Sequence, residues 1–140
     1  MEKYVFYFER FSNCERALNI VKDLHTKMDQ NVTELYQKLN LPYGESRFLT
    51  EATETLLKIR KVLKWTYPYA YYINNQKRKN LFEFHQKDLE RYCEELNEIL
   101  EIKYCKSVQT IQGVLDLKSF LTYKDQVTNI NFKCQKVILF

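Results

Sequence analysis

The sequence predicts an all-α fold: an antiparallel bundle of three to four long helices, with residues 1–140 forming a single domain. Three observations carry this prediction. First, the 140 residues include only 2 Gly and 2 Pro. That is about 3% of the chain, against roughly 12% in average proteins. Sandwiches, barrels and doubly wound sheets need many turns, and turns lean on these residues. Second, apolar residues recur at steps of three and four over long stretches, the spacing of one helix face. Third, the chain is 45% hydrophobic, and a chain this long can bury about two thirds of its unfolded surface.

The first helix is predicted over residues 2–40, which hold no Gly or Pro. Leu18, Val21, Leu24, Met28, Val32, Leu35 and Leu39 form its inner stripe, and Tyr4, Phe8 and Phe11 extend that stripe upstream. At 1.5 Å per residue it would be roughly 55 Å long. Leu41-Pro42-Tyr43-Gly44 is a turn signal. Ser46 suits the N-cap of the second helix, because a hydroxyl can accept from an unpaired backbone N–H. Phe48, Leu49, Ala52, Leu56, Ile59, Leu63 and Tyr67 then follow at helical steps. Pro68 predicts a kink near 64–67, since it removes one N–H and crowds the preceding turn.

Asn74-Asn75-Gln76 reads as a loop. A third helix is expected from about 77–80 to about 104–106. Phe82, His85, Leu89, Tyr92, Cys93, Leu96, Ile99 and Leu100 are its apolar or boundary positions. Gly113 is expected to break the segment 108–120. A final amphipathic stretch begins at about Tyr123 and continues through Val127, Ile130, Cys134 and Ile138.

The cysteines exclude a structural zinc site. Such sites place thiolates or imidazoles two to four residues apart. Cys14, Cys93, Cys105 and Cys134 are never closer than twelve residues, and His25 and His85 stand apart. The N-terminus has no secretory pattern, and no run of 18 apolar residues exists, so neither a disulfide framework nor a membrane span is expected. The residues suggest a soluble, intracellular, reduced protein.

Nor does the sequence offer an active site. Cys93 lies eight residues after His85 on one predicted helix, about 12 Å along the axis, too far for a thiol–imidazole hydrogen bond. Gly44 and Gly113 have no glycine neighbours, so there is no phosphate loop. Catalysis within this chain is not expected, and no cofactor is called for.

Charge is uneven. Residues 57–80 carry seven basic and no acidic side chains; residues 81–101 carry two basic and seven acidic ones. The basic stretch encloses Trp65-Thr66-Tyr67-Pro68-Tyr69-Ala70-Tyr71-Tyr72. Basic residues among aromatics can hold phosphates and stack bases. They can equally be half core and half solvated face. Glu83, Glu90, Glu94, Glu98 and Glu101 line the third helix, and Glu83 and Glu94 are three turns apart on one face. The like-charge pairs Glu90–Glu94 and Glu94–Glu98 each cost a few tenths of a kcal/mol unless a cation meets the ridge. A basic end beside an acidic helix suits a protein partner better than a polyanion.

Three blocks of residues resemble a known family. Tyr4-Val5-Phe6-Tyr7-Phe8-Glu9-Arg10-Phe11-Ser12-Asn13 is similar to an opening "YxxYYERYxNH". Arg60-Lys61-Val62-Leu63-Lys64-Trp65-Thr66-Tyr67-Pro68-Tyr69-Ala70-Tyr71-Tyr72 is similar to "CRxxLxxTYxxAYY". Leu81-Phe82-Glu83-Phe84-His85-Gln86-Lys87-Asp88-Leu89-Glu90 is similar to "FExxQxxLE". In this order and spacing they resemble the Ariadne domain, the C-terminal helical region of Ariadne-type RING-between-RING (RBR) ubiquitin ligases. The resemblance covers about residues 4–100 and is weak over 101–140. There the family's Arg-rich stretch is replaced by the apolar ending Cys134-Gln135-Lys136-Val137-Ile138-Leu139-Phe140.

The resemblance implies a regulatory domain rather than an enzyme. In such ligases RING1 binds a ubiquitin-loaded E2, and a RING2 cysteine accepts ubiquitin as a thioester. The Ariadne domain folds over RING2 and masks that cysteine, and neddylated cullin–RING complexes release it. By position, Phe6 would be an apolar contact to RING2, and Glu83 and Glu94 acidic contacts. The zinc ions and the catalytic cysteine would belong to RING and IBR modules outside this chain. The implied partners are RING2 in cis and, indirectly, the cullin complex and the E2, with no membrane. The implied location is the cytoplasm, with the nucleus also open. The alternative is a free-standing helical module that binds nucleic acid or a protein through residues 57–80.

Overall fold

The computed structural model describes residues 2–39, 42–103 and 117–138. They form four helices: α1 (Glu2–Leu39), α2 (Tyr43–Tyr72), α3 (Gln76–Glu98) and α4 (Leu117–Ile138). A π-helical turn, Ile99–Lys103, extends α3. No strand occurs among the described residues, so the fold is all-α as the sequence predicts.

Helix α2 is the axis of the bundle. It packs along α1 on one side and against α3 and α4 on the other. Leu49, Leu56, Leu63 and Ala70 recur every seven residues and are buried. On α1 the matching heptad is Tyr7, Cys14, Val21 and Met28. A seven-residue step keeps a seam facing its partner along two long helices. The two run antiparallel: Glu15 meets Lys64, His25 meets Glu54, and the Thr50 hydroxyl donates to Asp29.

This register corrects one expectation. Tyr4 and Phe8 do not continue the buried stripe; both are exposed, and Tyr7 takes the inner position. Steps of three and four upstream of Leu18 fit either set. Only the heptad through Cys14 selects Tyr7.

Helix α3 runs antiparallel to α2. Gln86 donates its amide to Thr66 at 2.9 Å, and the Thr66 hydroxyl donates to the Leu63 carbonyl at 2.6 Å. Gln86 is therefore buried with its amide bonded, since a buried amide without a partner is costly. His85, expected as a boundary residue, is exposed instead. Leu89, Cys93, Leu96, Ile99 and Leu100 complete the inner face. The wide π turn lets the adjacent Ile99 and Leu100 both point inward.

Helix α4 closes the far half. Phe48 makes edge contacts with Phe120 and Tyr123, at 5.8 and 6.1 Å between centroids. The Tyr123 hydroxyl donates to the Ile99 carbonyl at 3.0 Å, and the Cys134 thiol lies 3.7 Å from the Tyr92 carbonyl.

Helix ends differ from expectation in three places. Helix α2 starts at Tyr43 after Pro42, with no side-chain cap. Ser46 sits inside its first turn, buried, donating back to the Tyr43 carbonyl. Pro42 is itself the N-cap, in an extended conformation (φ −58°, ψ 145°), and has no side-chain acceptor to offer the first turn. Helix α3 starts at Gln76 because Asn75 is its cap, accepting from the N–H of Lys77 and of Arg78. Helix α4 begins at Leu117, earlier than Tyr123. Helix α2 is continuous through Pro68. The expected break at Gly113 lies outside the described residues.

Candidate functional site

The start of α1, the end of α2 and the start of α3 meet at one end of the bundle. Phe6 is 46% exposed there. Its ring stands edge-on to Tyr7 at 5.0 Å, and the Arg10 guanidinium lies 3.5 Å from its centroid. Tyr7 is buried and donates its hydroxyl to the Glu83 carboxylate at 2.9 Å. Tyr7 thus links Phe6 and Glu83, two of the three residues that the resemblance singles out. Burial, then the hydrogen bond to Glu83, pushes the Tyr7 hydroxyl up to about 12.

The third, Glu94, is three turns along α3 from Glu83, about 16 Å by helical rise. Its side chain is 73% exposed, and one oxygen lies 3.7 Å from a guanidinium nitrogen of Arg60. Arg60 is only 12% exposed. Between them, Glu90 accepts from the Tyr67 hydroxyl at 2.5 Å. Burial is the larger cause, and this bond the next, of a strong upward shift of the Tyr67 hydroxyl.

The acidic ridge is therefore not a freely solvated face. Its inner edge is bonded to α1 and α2 through Tyr7, Tyr67 and Arg60. Arg60 is the cation that meets it, and it comes from inside the fold. Sequence reasoning missed these three residues as organisers. Tyr7 carries a signal in its heptad step from Cys14, and Tyr67 in its helical step from Leu63; Arg60 carries none. Arg60 also changes the reading of the basic stretch. It turns inward, and Lys64, 15% exposed, sits 3.6 Å from Glu15. The basic residues of α2 do not form one open stripe.

A second surface surrounds Trp65, which is 62% exposed. An apolar groove of about 230 Å³ lies between α1 and α2, bounded by Tyr4, Phe8, Phe11, Trp65 and Tyr71 among others. A shallower trough follows the other side of Trp65, between Lys61, Val62 and Tyr69 of α2 and Phe82 of α3.

Cys93 is buried and its thiol is pushed up to about 12, mainly by burial; Cys134 is likewise raised to about 12. Burial raises Cys14 too. All three thiols are buried in the helical core, whereas nucleophilic cysteines are partly exposed and shifted the other way. Among the described residues no group of three His, Cys, Asp or Glu side chains could hold a metal ion. Nor is any helix there long and apolar enough to cross a membrane.

The described residues form an all-helical bundle with two exposed, largely apolar surfaces at one end. Comparison with known proteins supplies the family. The chain is 32% identical over 130 residues to the probable E3 ubiquitin-protein ligase rbrA of Dictyostelium discoideum, covering 92% of this chain and 24% of that protein. It is 36% identical over 96 residues to the potential E3 ubiquitin-protein ligase ariadne-2 of Caenorhabditis elegans, covering 69% and 20%. It is 34% identical over 97 residues to the mouse E3 ubiquitin-protein ligase ARIH2, again 69% and 20%. No protein-family model matches the chain. The chain is homologous to one segment of Ariadne-type E3 ubiquitin ligases. It spans about a quarter or less of the length of the relatives named here.

Proposed function

We propose that this chain is an autoinhibitory domain of an RBR ubiquitin ligase, docking on RING2 and masking its catalytic cysteine. The observation that supports this reading is that Phe6 and Glu83 both contact Tyr7, with Glu94 three turns along the helix of Glu83. An apolar knob and two carboxylates on one surface suit a partner with an apolar pocket and basic rim. Burying the rest of a half-exposed phenylalanine contributes about 1 kcal/mol from area alone, and well-packed aromatic anchors contribute more. Each carboxylate adds less than about 1 kcal/mol at a solvated rim and serves mainly to fix the register.

In this reading the chain performs no chemistry. RING2 in cis is its direct partner. A neddylated cullin–RING complex frees RING2, and the ubiquitin-loaded E2 binds elsewhere on the ligase. Zinc belongs to the RING and IBR modules.

The test is a discharge assay on an isolated RING1–IBR–RING2 ligase with this chain added in trans. Tethering supplies effective concentration that a separate chain lacks, so the chain is titrated to high concentration. Discharge is expected to fall with added chain. Phe6→Ala with Glu83→Gln and Glu94→Gln is expected to abolish the effect while helicity by circular dichroism is retained. Full inhibition by that triple variant would overturn the site assignment.

A further inference from the structure

We propose that the grooves flanking Trp65 form a second docking site, for an acidic protein segment that carries apolar anchor side chains. This surface adjoins the Phe6 face, because Tyr7 lines the deeper groove and stands against Phe6, but most of it opens elsewhere. Tyr4 and Phe8 each lie two residues from Phe6, about 200° around α1. They therefore open onto the other side of that helix. The inference does not depend on RING2 docking.

Two features define the occupant. The first is apolar area. Trp65, Tyr69 and Tyr72 are 62, 52 and 75% exposed, although each could bury a large area. Tryptophan and tyrosine exposed together are the residues that most often dominate protein contacts. The deeper groove, about 230 Å³, is smaller than the roughly 300–1,000 Å³ of a typical small-molecule site. It suits one anchor side chain, with the trough between Tyr69 and Phe82 open to another on the far side of Trp65.

The second feature is charge. Lys3 lies 5.2 Å from the Tyr71 ring centroid, and Lys64 lies 5.1 and 5.2 Å from those of Phe11 and Trp65. Lys61 lines the trough. No residue that lines either groove is acidic. The nearby Glu15 meets Lys64 as a half-solvated pair, and such pairs are weak enough to exchange for another carboxylate. The complement of apolar walls with an ammonium rim is an apolar anchor flanked by carboxylates.

A nucleic acid fits less well. Its phosphates need a continuous cationic track. Here Arg60 is turned inward, and the carboxylates of α3 lie beside it.

Trp65 is the only tryptophan in the chain, so its emission reports occupancy directly. The probes are short synthetic peptides with Phe and Leu four residues apart among Asp and Glu. The comparisons are the same anchors among Lys, an all-acidic peptide without anchors, and oligothymidylate. The anchored acidic peptides are expected to shift Trp65 emission to the blue. Their affinity, read by anisotropy of a labelled peptide, is expected to fall at least about tenfold in Trp65→Ala and in Lys3→Glu/Lys61→Glu. It should be unchanged in Glu94→Gln, which lines neither groove. Tyr72→Ala, at the most exposed ring, repeats the test should Trp65→Ala lose helicity. Equal binding of the lysine peptides, tighter salt-sensitive binding of oligothymidylate, or no emission change up to roughly 1 mM acidic peptide would overturn the proposal.

Discussion

The Tyr7 hydroxyl donates to the Glu83 carboxylate at 2.9 Å across 76 residues of sequence. The bond ties the first turns of α1 to the start of α3. It fixes one carboxylate oxygen of Glu83 on Tyr7, the residue that Phe6 packs against, before any partner arrives. A preset side chain loses less conformational freedom on docking than a free one.

Removing that hydroxyl tests the link. Tyr7→Phe keeps the buried ring but leaves the half-buried carboxylate without its donor. Hydrogen bonds to charged groups contribute about 1.5–3 kcal/mol when formed inside a protein. Tyr7→Phe is expected to lower unfolding stability in urea by about 1–2 kcal/mol, at the low end because Glu83 keeps some access to water. A Tyr7→Phe variant as stable as the parent would show that Glu83 is not held in this way.

Arg60 and Glu94 give a second test. Arg60 is largely buried and Glu94 largely exposed, so the pair is neither a free surface bridge nor a fully desolvated one. Glu94→Ala strips the counter-charge and is expected to cost about 1 kcal/mol, more than an ordinary exposed pair. In Arg60→Met/Glu94→Ala the combined loss should be smaller than the sum of the two single losses. Strict additivity in that cycle would mean the two side chains do not interact. For docking assays, Glu94→Gln is the better substitution because it alters the carboxylate with less change in packing.

Alkaline pH should unfold the domain in a defined way. The Tyr7 hydroxyl is raised from its ordinary value of 10.0 to about 12 in the folded protein, and Tyr67 is raised as well. A raised folded value means the neutral phenol is favoured in the fold. The associated stability is complete below pH 10 and is lost as pH rises towards 12. Urea stability is expected to fall through this window, and less steeply in Tyr7→Phe. Identical slopes for parent and variant would contradict the assigned shift.

The buried thiols predict selective protection. Cys93 and Cys134 are raised to about 12 and Cys14 is also raised. At pH 8 the thiolate fraction is then of the order of 1 in 10,000 for the first two, and burial blocks access as well. Iodoacetamide is expected to leave Cys14, Cys93 and Cys134 unmodified in the native protein and to alkylate all three in urea. Peptide mapping reads the outcome. Rapid native alkylation of Cys93 would show that α3 does not pack as described.

The helices were legible in the sequence because Leu49, Leu56 and Leu63 announce a face whatever lies opposite. What lies opposite was not legible. Gln86 is buried rather than His85 because Thr66 waits across the interface, a partner 20 residues away. Tyr4 and Phe8 satisfy the same spacing rule as Tyr7 and differ from it in rotation about the helix. Ser46 has good capping chemistry, but Pro42 starts the helix earlier. Of the candidate site, the residues Phe6, Glu83 and Glu94 came from resemblance. Their support by Tyr7, Tyr67 and Arg60 came from tertiary contacts that no local pattern encodes.

The central claim is that this chain covers the catalytic cysteine of RING2. The most direct measurement is the alkylation rate of that cysteine in an isolated RING1–IBR–RING2 ligase, with and without saturating chain. The account predicts slower alkylation with the parent chain and an unchanged rate with the Phe6→Ala/Glu83→Gln/Glu94→Gln variant. Equal rates with and without the parent chain, while binding to the ligase is demonstrated, would contradict it.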